Sequence, residues 1–161
     1  MASYFFDSSA IMKRYYREPG TDWVQAICRR SSRSTLYLAE LARVEVVAAL
    51  RRTVRVANLH PSYGDALVSM FQRHVALSAT SGRIYTILPL DTVVVDLAET
   101  LCSRFWDTRP HPLRSLDALQ LASALLVADK ILDELVFVTT DVRLLAIAPL
   151  AGFRVIDPVH P

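Results

Sequence analysis

Leu135-Val136-Phe137-Val138-Thr139-Thr140-Asp141 is the stretch on which the fold class turns. It is a short run of β-branched and aromatic residues that stops at an acid, and a short helical pattern follows from about Val142 to Ile147. That reads as a buried strand feeding directly into a helix. Working outward, the chain repeats the arrangement. Tyr4-Phe5-Phe6 stops at Asp7, and a helix is expected through Ala10–Tyr16, closed by Pro19-Gly20. Thr35–Leu38 and Ile84–Leu88 are further strand candidates, the latter ended by Pro89, and Phe153–Ile156 supplies a last one.

Helical patterns fill the intervals. One runs from Thr21 to about Arg30, with Trp23, Val24 and Ile27 on one face, and a long one covers Ala39–Val56. Pro61 suits the first turn of another that reaches about Leu77. Asp91 or Thr92 can cap a helix with an apolar stripe at Val95, Ala98, Leu101, Cys102 and Phe105. The breaker-rich Thr108–Pro112 separates it from a very apolar helix over Leu113–Ala128. Strands alternating with helices predict an α/β fold. The expectation is one domain over residues 1–161, a three-layer α/β/α sandwich around a mainly parallel sheet of four to five strands.

Composition narrows the function. The 161 residues are 52% hydrophobic and 21% charged, which is ample for a core and too apolar for disorder. Cys28 and Cys102 stand far apart, and His60, His74, His111 and His160 show no ligand spacing, so neither a disulfide framework nor a zinc site is indicated. No apolar stretch approaches the roughly 18 residues of a membrane span, and the N-terminus lacks a signal-peptide pattern. A cytoplasmic location without membrane association is the expectation. The formal net charge of +2 hides an uneven spread: residues 1–60 carry ten Lys/Arg against five Asp/Glu, the remainder eight against eleven. Sixteen of the 18 cations are Arg, which suits phosphate recognition and equally follows from a G+C-rich genome.

Carboxylates inside apolar runs are the informative exceptions, because burying an unpaired one is costly. Asp7 follows the aromatic strand, Glu45 sits in Val44–Leu50, Asp117 in Leu116–Ala122, and Asp141 follows Val136–Thr140. Asp7 and Asp141 fall at carboxyl ends of strands, where open parallel sheets place their ligand crevice. Each also has an architectural reading. Asp7 and Asp141 can cap the helices after them, Glu45 can pair with Arg43 or Arg52, and Asp117 can pair with Arg114. Glu40 suits a helix start, Asp91 a cap and Asp96 a solvent-facing position. Taken together, the four point to hard divalent cation binding, Mg²⁺ or Mn²⁺ with one or two ions, and to metal-assisted phosphodiester hydrolysis. No phosphate-cradling glycine motif competes; the chain has only four glycines.

These residues resemble a known family. Tyr4–Tyr15, followed by Glu18-Pro19-Gly20-Thr21-Asp22-Trp23-Val24, resembles the opening of PIN-domain proteins, especially VapC-type toxins. Leu41–Leu50 is similar to their second acidic motif, Leu116–Ala122 to the third and Phe137–Leu145 to the fourth. The resemblance implies a Mg²⁺- or Mn²⁺-dependent endoribonuclease acting on tRNA or rRNA, with Asp7, Glu45, Asp117 and Asp141 as its acidic quartet. Asp7 and Asp117 are then the direct ligands, while Glu45 and Asp141 bind through water or position the nucleophile. Ser9 and Thr139 match small hydroxyl residues that support the carboxylates. Such toxins dimerise and are silenced by a cognate antitoxin. Gln120 departs from the His or aliphatic residue of many relatives, which puts the shape of the groove in question rather than metal binding.

RNA must be held by its phosphates. Lys13 and Arg14 come soon after Asp7 and are the candidates for the groove rim; Arg29, Arg30 and Arg33, and Arg51, Arg52 and Arg55, form further basic clusters. Tyr15 and Tyr16 are candidates for stacking on bases. Two alternatives to the nuclease stand beside it. One is a non-catalytic PIN scaffold that binds RNA or a protein partner. The other is an aspartyl phosphatase using Asp7, against which stands Ser9 where a second Asp is usual.

Overall fold

The computed structural model describes residues 2–29, 34–81 and 84–161. Five strands, β1 (Ala2–Phe6), β2 (Ser34–Ala39), β3 (Thr86–Leu88), β4 (Leu135–Val138) and β5 (Arg154–Ile156), form one sheet in the order β3-β2-β1-β4-β5. Every neighbouring pair is parallel. Central β1 pairs Tyr4 with Leu36 on one side and with Val136 on the other.

The period-two alternation of the strands sorts their side chains onto two faces. Phe6, Leu36, Leu38, Val136 and Val138 join one core with α1 (Ser8–Ile11), α2 (Thr21–Arg29), α3 (Ala42–Val56) and α4 (Pro61–Ser81). Phe5, Ala39, Leu135 and Phe137 join the opposite core with α5 (Thr92–Arg104), α6 (Ser115–Ala128) and α7 (Val142–Ile147). Helices on both faces of a parallel sheet make the expected three-layer sandwich. Phe5 and Phe137 stack across β1 and β4 at 5.3 Å between centroids, and Phe137 also meets Phe153 at 5.5 Å.

Element boundaries differ from expectation in three instructive places. The first helix begins at Ser8, directly after Asp7, and after Ile11 tightens into a 3₁₀ turn over Met12–Arg14. The long helix does not start at Ala39, because Ala39 still pairs with Leu88 as β2. A turn at Glu40 and Leu41 intervenes, with the Glu40 N–H bonded to the Leu88 carbonyl at 2.8 Å. The last apolar helix starts at Ser115 rather than Leu113. Arg30 and Arg33, one of the basic clusters, lie outside the described residues.

Strand order explains where a site can form. The chain leaves β1 toward β2 on one side, and β4 lies on the other, so the order reverses between β1 and β4. The crevice beyond the carboxyl ends of two such strands is the usual ligand position of a parallel α/β sheet.

Candidate metal centre

Asp7 stands at that reversal. It follows β1, its N–H bonds to the Val138 carbonyl of β4 at 3.0 Å, and its Oδ1 accepts from the Ala10 N–H at 2.9 Å to cap α1. Asp141 follows β4 and caps α7 in the same way, accepting from the Arg143 N–H at 2.7 Å. The capping and the site readings of these two acids therefore coincide: the cap fixes where the carboxylate points. Asp117 lies in the first turn of α6 and Glu45 in the first turn of α3.

Hydroxyl and amide side chains lace the four elements together. Ser9 Oγ donates to Asp7, 2.8 Å from Oδ1 and 3.1 Å from Oδ2, and accepts from the Thr140 N–H at 2.9 Å. The end of β1 is thereby tied to the end of β4. Thr139 is fully buried; its Oγ1 accepts from the Asp141 N–H at 3.0 Å, and its side chain also hydrogen-bonds Asp7. On the other side of Asp7, Ser8 Oγ donates to Glu45 Oε2. Gln120 Nε2, from α6, donates to the same Oε2 at 2.6 Å and to Ser8 Oγ at 2.9 Å.

Asp141 acts electrostatically on both Asp7 and Asp117, and Glu45 acts on Asp117. Asp7 is 4% exposed, and its carboxyl is pushed up from 3.8 to about 7, chiefly by burial and further by the negative charge of Asp141. Hydrogen bonds from Ser9, Ala10 and Thr139 oppose that rise without cancelling it. Asp117 is pushed up to about 6 by burial first, then by Asp141, with a smaller push from Glu45; Arg143 and Arg114 pull it back. Asp117 Oδ2 is buried with no hydrogen-bond partner among the described residues. Acids raised by burial and by one another, one with an orphaned oxygen, are the surroundings that a cation stabilises.

The donor set suits a hard divalent ion. All the candidate ligands are carboxylate oxygens, which favours Mg²⁺ or Mn²⁺. Among the described residues no group of three or more His, Cys, Asp or Glu side chains is placed to hold a metal ion together. An ion that keeps several waters and uses one or two carboxylates fits this arrangement better than one that needs full protein coordination.

The basic residues fall differently from expectation. Lys13 is buried, with Nζ 2.7 Å from Glu18 Oε1. Arg14 Nη1 donates to the Tyr85 hydroxyl at 2.6 Å, and its guanidinium lies over the Tyr85 ring. Tyr15 is buried as well, bonded through its hydroxyl to Tyr85 and His74. Arg14 and Tyr15 tie the first helical segment to Tyr85, just before β3, and Tyr15 ties it to His74 of α4. Lys13 pairs with Glu18 before α2, so both cations are engaged within the fold. The cations that act on Asp117 are Arg143 and Arg114, which flank Asp141 and Asp117 in sequence. Glu40 has the architectural role expected of it, pairing with Arg43 and accepting from the Leu90 N–H at 3.2 Å. Asp91 caps α5, accepting from the Val94 N–H at 3.0 Å.

Ser8, the Gln120 contacts and Arg143 were not legible as site residues. Gln120 carried a usable signal, since a polar side chain in the run Leu116–Ala124 is an exception of the same kind as Asp117.

The family model of the PIN domain matches residues 4–149. The chain belongs to the PIN domain family. Solved structures share its fold at low identity. FitAcB from Neisseria gonorrhoeae superposes with a TM-score of 0.67 at 18% identity, over 98% of this chain and 99% of that one. VapBC2 from Rickettsia felis, bound to a DNA fragment from their promoter, gives 0.61 at 10% identity over 96% and 97%. VapC20 from Mycobacterium tuberculosis, a Sarcin-Ricin loop cleaving toxin, gives 0.59 at 16% identity over 98% and 99%. No curated protein matches the sequence. Among the described residues, no helix is long and apolar enough to cross a membrane.

Proposed function

We propose that this PIN-domain chain is a Mg²⁺- or Mn²⁺-dependent endoribonuclease of the cytoplasm, the toxin of a toxin–antitoxin pair, with tRNA or rRNA as substrate. The observation that carries the reading is the placement of Asp7 and Asp141 at the ends of β1 and β4, with Asp141 acting electrostatically on both Asp7 and Asp117. Asp7 and Asp117 are both strained toward protonation there by burial and by neighbouring acids. The toxins and toxin–antitoxin complexes among the structural neighbours support the biological role.

Asp7 and Asp117 hold the cation, with Asp117 Oδ2 turned from an orphan into a ligand. When bound, the ion supplies positive charge for the oxygens of the phosphodiester and lowers the pKa of a coordinated water. Asp141 adds negative charge to the same site and is held by its cap to α7. Glu45 keeps Oε1 free of protein donors among the described residues, so that oxygen can orient the attacking water and accept its proton. Arg114 and Arg143 offset the acids and offer guanidinium groups to the backbone phosphates beside the scissile bond. A homodimer and an antitoxin that covers the cleft complete the proposal.

Incubating the purified chain with tRNA and rRNA tests the reading. Mg²⁺ or Mn²⁺ should support cleavage and a chelator should stop it, while Asp7→Asn should abolish cutting with the circular dichroism spectrum unchanged. Unaltered cutting by that variant overturns the assignment, and no cutting by the parent chain under any divalent ion favours the non-catalytic scaffold.

A further inference from the structure

Gln120 is 2% exposed, in the middle of the most apolar helix, and its amide is oriented by charge. Its Nε2 lies 2.6 Å from Glu45 Oε2 and 2.9 Å from Ser8 Oγ, whereas its Oε1 is buried and accepts from no group among the described residues. Leaving a buried acceptor unsatisfied costs about 1–3 kcal/mol. Turning the amide over would bring Oε1 against the carboxylate, so the carboxylate dictates this orientation and the orphaned acceptor is its consequence.

Glu45 Oε2 and Ser8 Oγ are themselves hydrogen-bonded, so they subtend a narrow angle at Gln120 Nε2 and share one of its N–H groups, while the Ser8 hydroxyl donates to Glu45. Glu45 Oε2 thus accepts from side chains carried by two different helices. The half-buried side chain keeps only Oε1 for other partners. Such outer contacts orient the groups that do chemistry and are worth about 10–100-fold in metal affinity or activity when removed.

We propose that Gln120 is a positioning residue: with Ser8 it locks Glu45 Oε2 to α6 and α1 and presents Oε1 alone to the cleft. The inference rests on the ribonuclease reading of that cleft. It also makes the position a determinant of how Glu45 works, since an aliphatic residue there provides no donor and leaves Glu45 held by Ser8 only.

Gln120→Met tests this, because the change nearly conserves volume and removes the amide donor. The expected result is a kcat for RNA cleavage lowered about 10–100-fold with KM within about threefold. In a double-mutant cycle, Gln120→Met should cost little further once Glu45 is already Gln. A second readout needs no RNA: in the metal-free chain, Glu45→Gln should move the side-chain amide proton resonances of Gln120 in nitrogen-15 spectra. Parent-rate cleavage by Gln120→Met, additive losses in the cycle, or unmoved amide resonances each overturn the role of Gln120 while leaving the ribonuclease intact. Absence of cleavage by the parent chain overturns the ribonuclease reading, and this inference with it.

Discussion

Replacing Asp7 by Asn should stabilise the metal-free chain, and by an amount that depends on pH. The carboxyl of Asp7 is moved from 3.8 to about 7, mostly by burial. Over that window the folded chain retains a proton that the unfolded chain has released. The group therefore favours folding most below about pH 4, and its contribution is lost as pH rises through about 7. At about 1.4 kcal/mol per pKa step, Asp7 costs the fold about 4 kcal/mol at pH 8, where it is ionised, and about 2 kcal/mol at pH 5, where the folded chain holds a proton that the unfolded chain has released. Asn stays neutral throughout and keeps an oxygen for the Ala10 N–H. Asp7→Asn should thus unfold about 10 °C higher than the parent at pH 8 in the presence of a chelator, with roughly half that gain at pH 5. Thermal and urea unfolding followed by circular dichroism at the two pH values measures both gains. Saturating Mn²⁺ should narrow the gap by stabilising the parent alone. A variant no more stable than the parent at pH 8, or equally stabilised at both pH values, would refute the claim that Asp7 is an uncompensated buried charge.

Three further outcomes follow from other parts of the molecule. Phe137→Ala removes a fully buried ring stacked on Phe5 and touching Phe153, and should cost about 3–5 kcal/mol in urea unfolding. Gly20→Ala should destabilise by about 1–3 kcal/mol, because Gly20 has φ 91° and an added Cβ would meet the Pro158 carbonyl oxygen at 2.9 Å. Lys13→Met should leave the KM for RNA unchanged, whereas Arg114→Ala should raise it and lower the salt slope of binding by about 1; the reverse pattern would return Lys13 to the cleft.

The layer architecture was legible because strand and helix periods are written into the chain. Val136 and Val138 face one core and Leu135 and Phe137 the other, as alternation dictates. The four acids stood out because each interrupts an apolar run. What the pattern could not supply was the other end of a long-range contact. The Glu45–Gln120 pair spans 75 residues and the Thr140–Ser9 pair 131, distances that only the tertiary fold closes. The same limit misplaced Lys13 and Arg14. Their proximity to Asp7 in sequence suggested the rim, but the 3₁₀ turn at Met12–Arg14 carries them toward Glu18 and Tyr85. The start of α3 was misjudged for a related reason, since Ala39 and Glu40 favour a helix locally and are held in and beside the sheet by β3.

Direct Mn²⁺ titration tests the proposed divalent-cation site without depending on any RNA. Free Mn²⁺ gives a strong electron paramagnetic resonance signal that falls as the ion is bound. The parent chain at pH 7.5 should bind Mn²⁺ saturably, Mg²⁺ should displace it, and Asp117→Asn should bind at least about tenfold more weakly. Equal Mn²⁺ binding by the parent and by Asp117→Asn, or no saturable binding by the parent, would contradict the account.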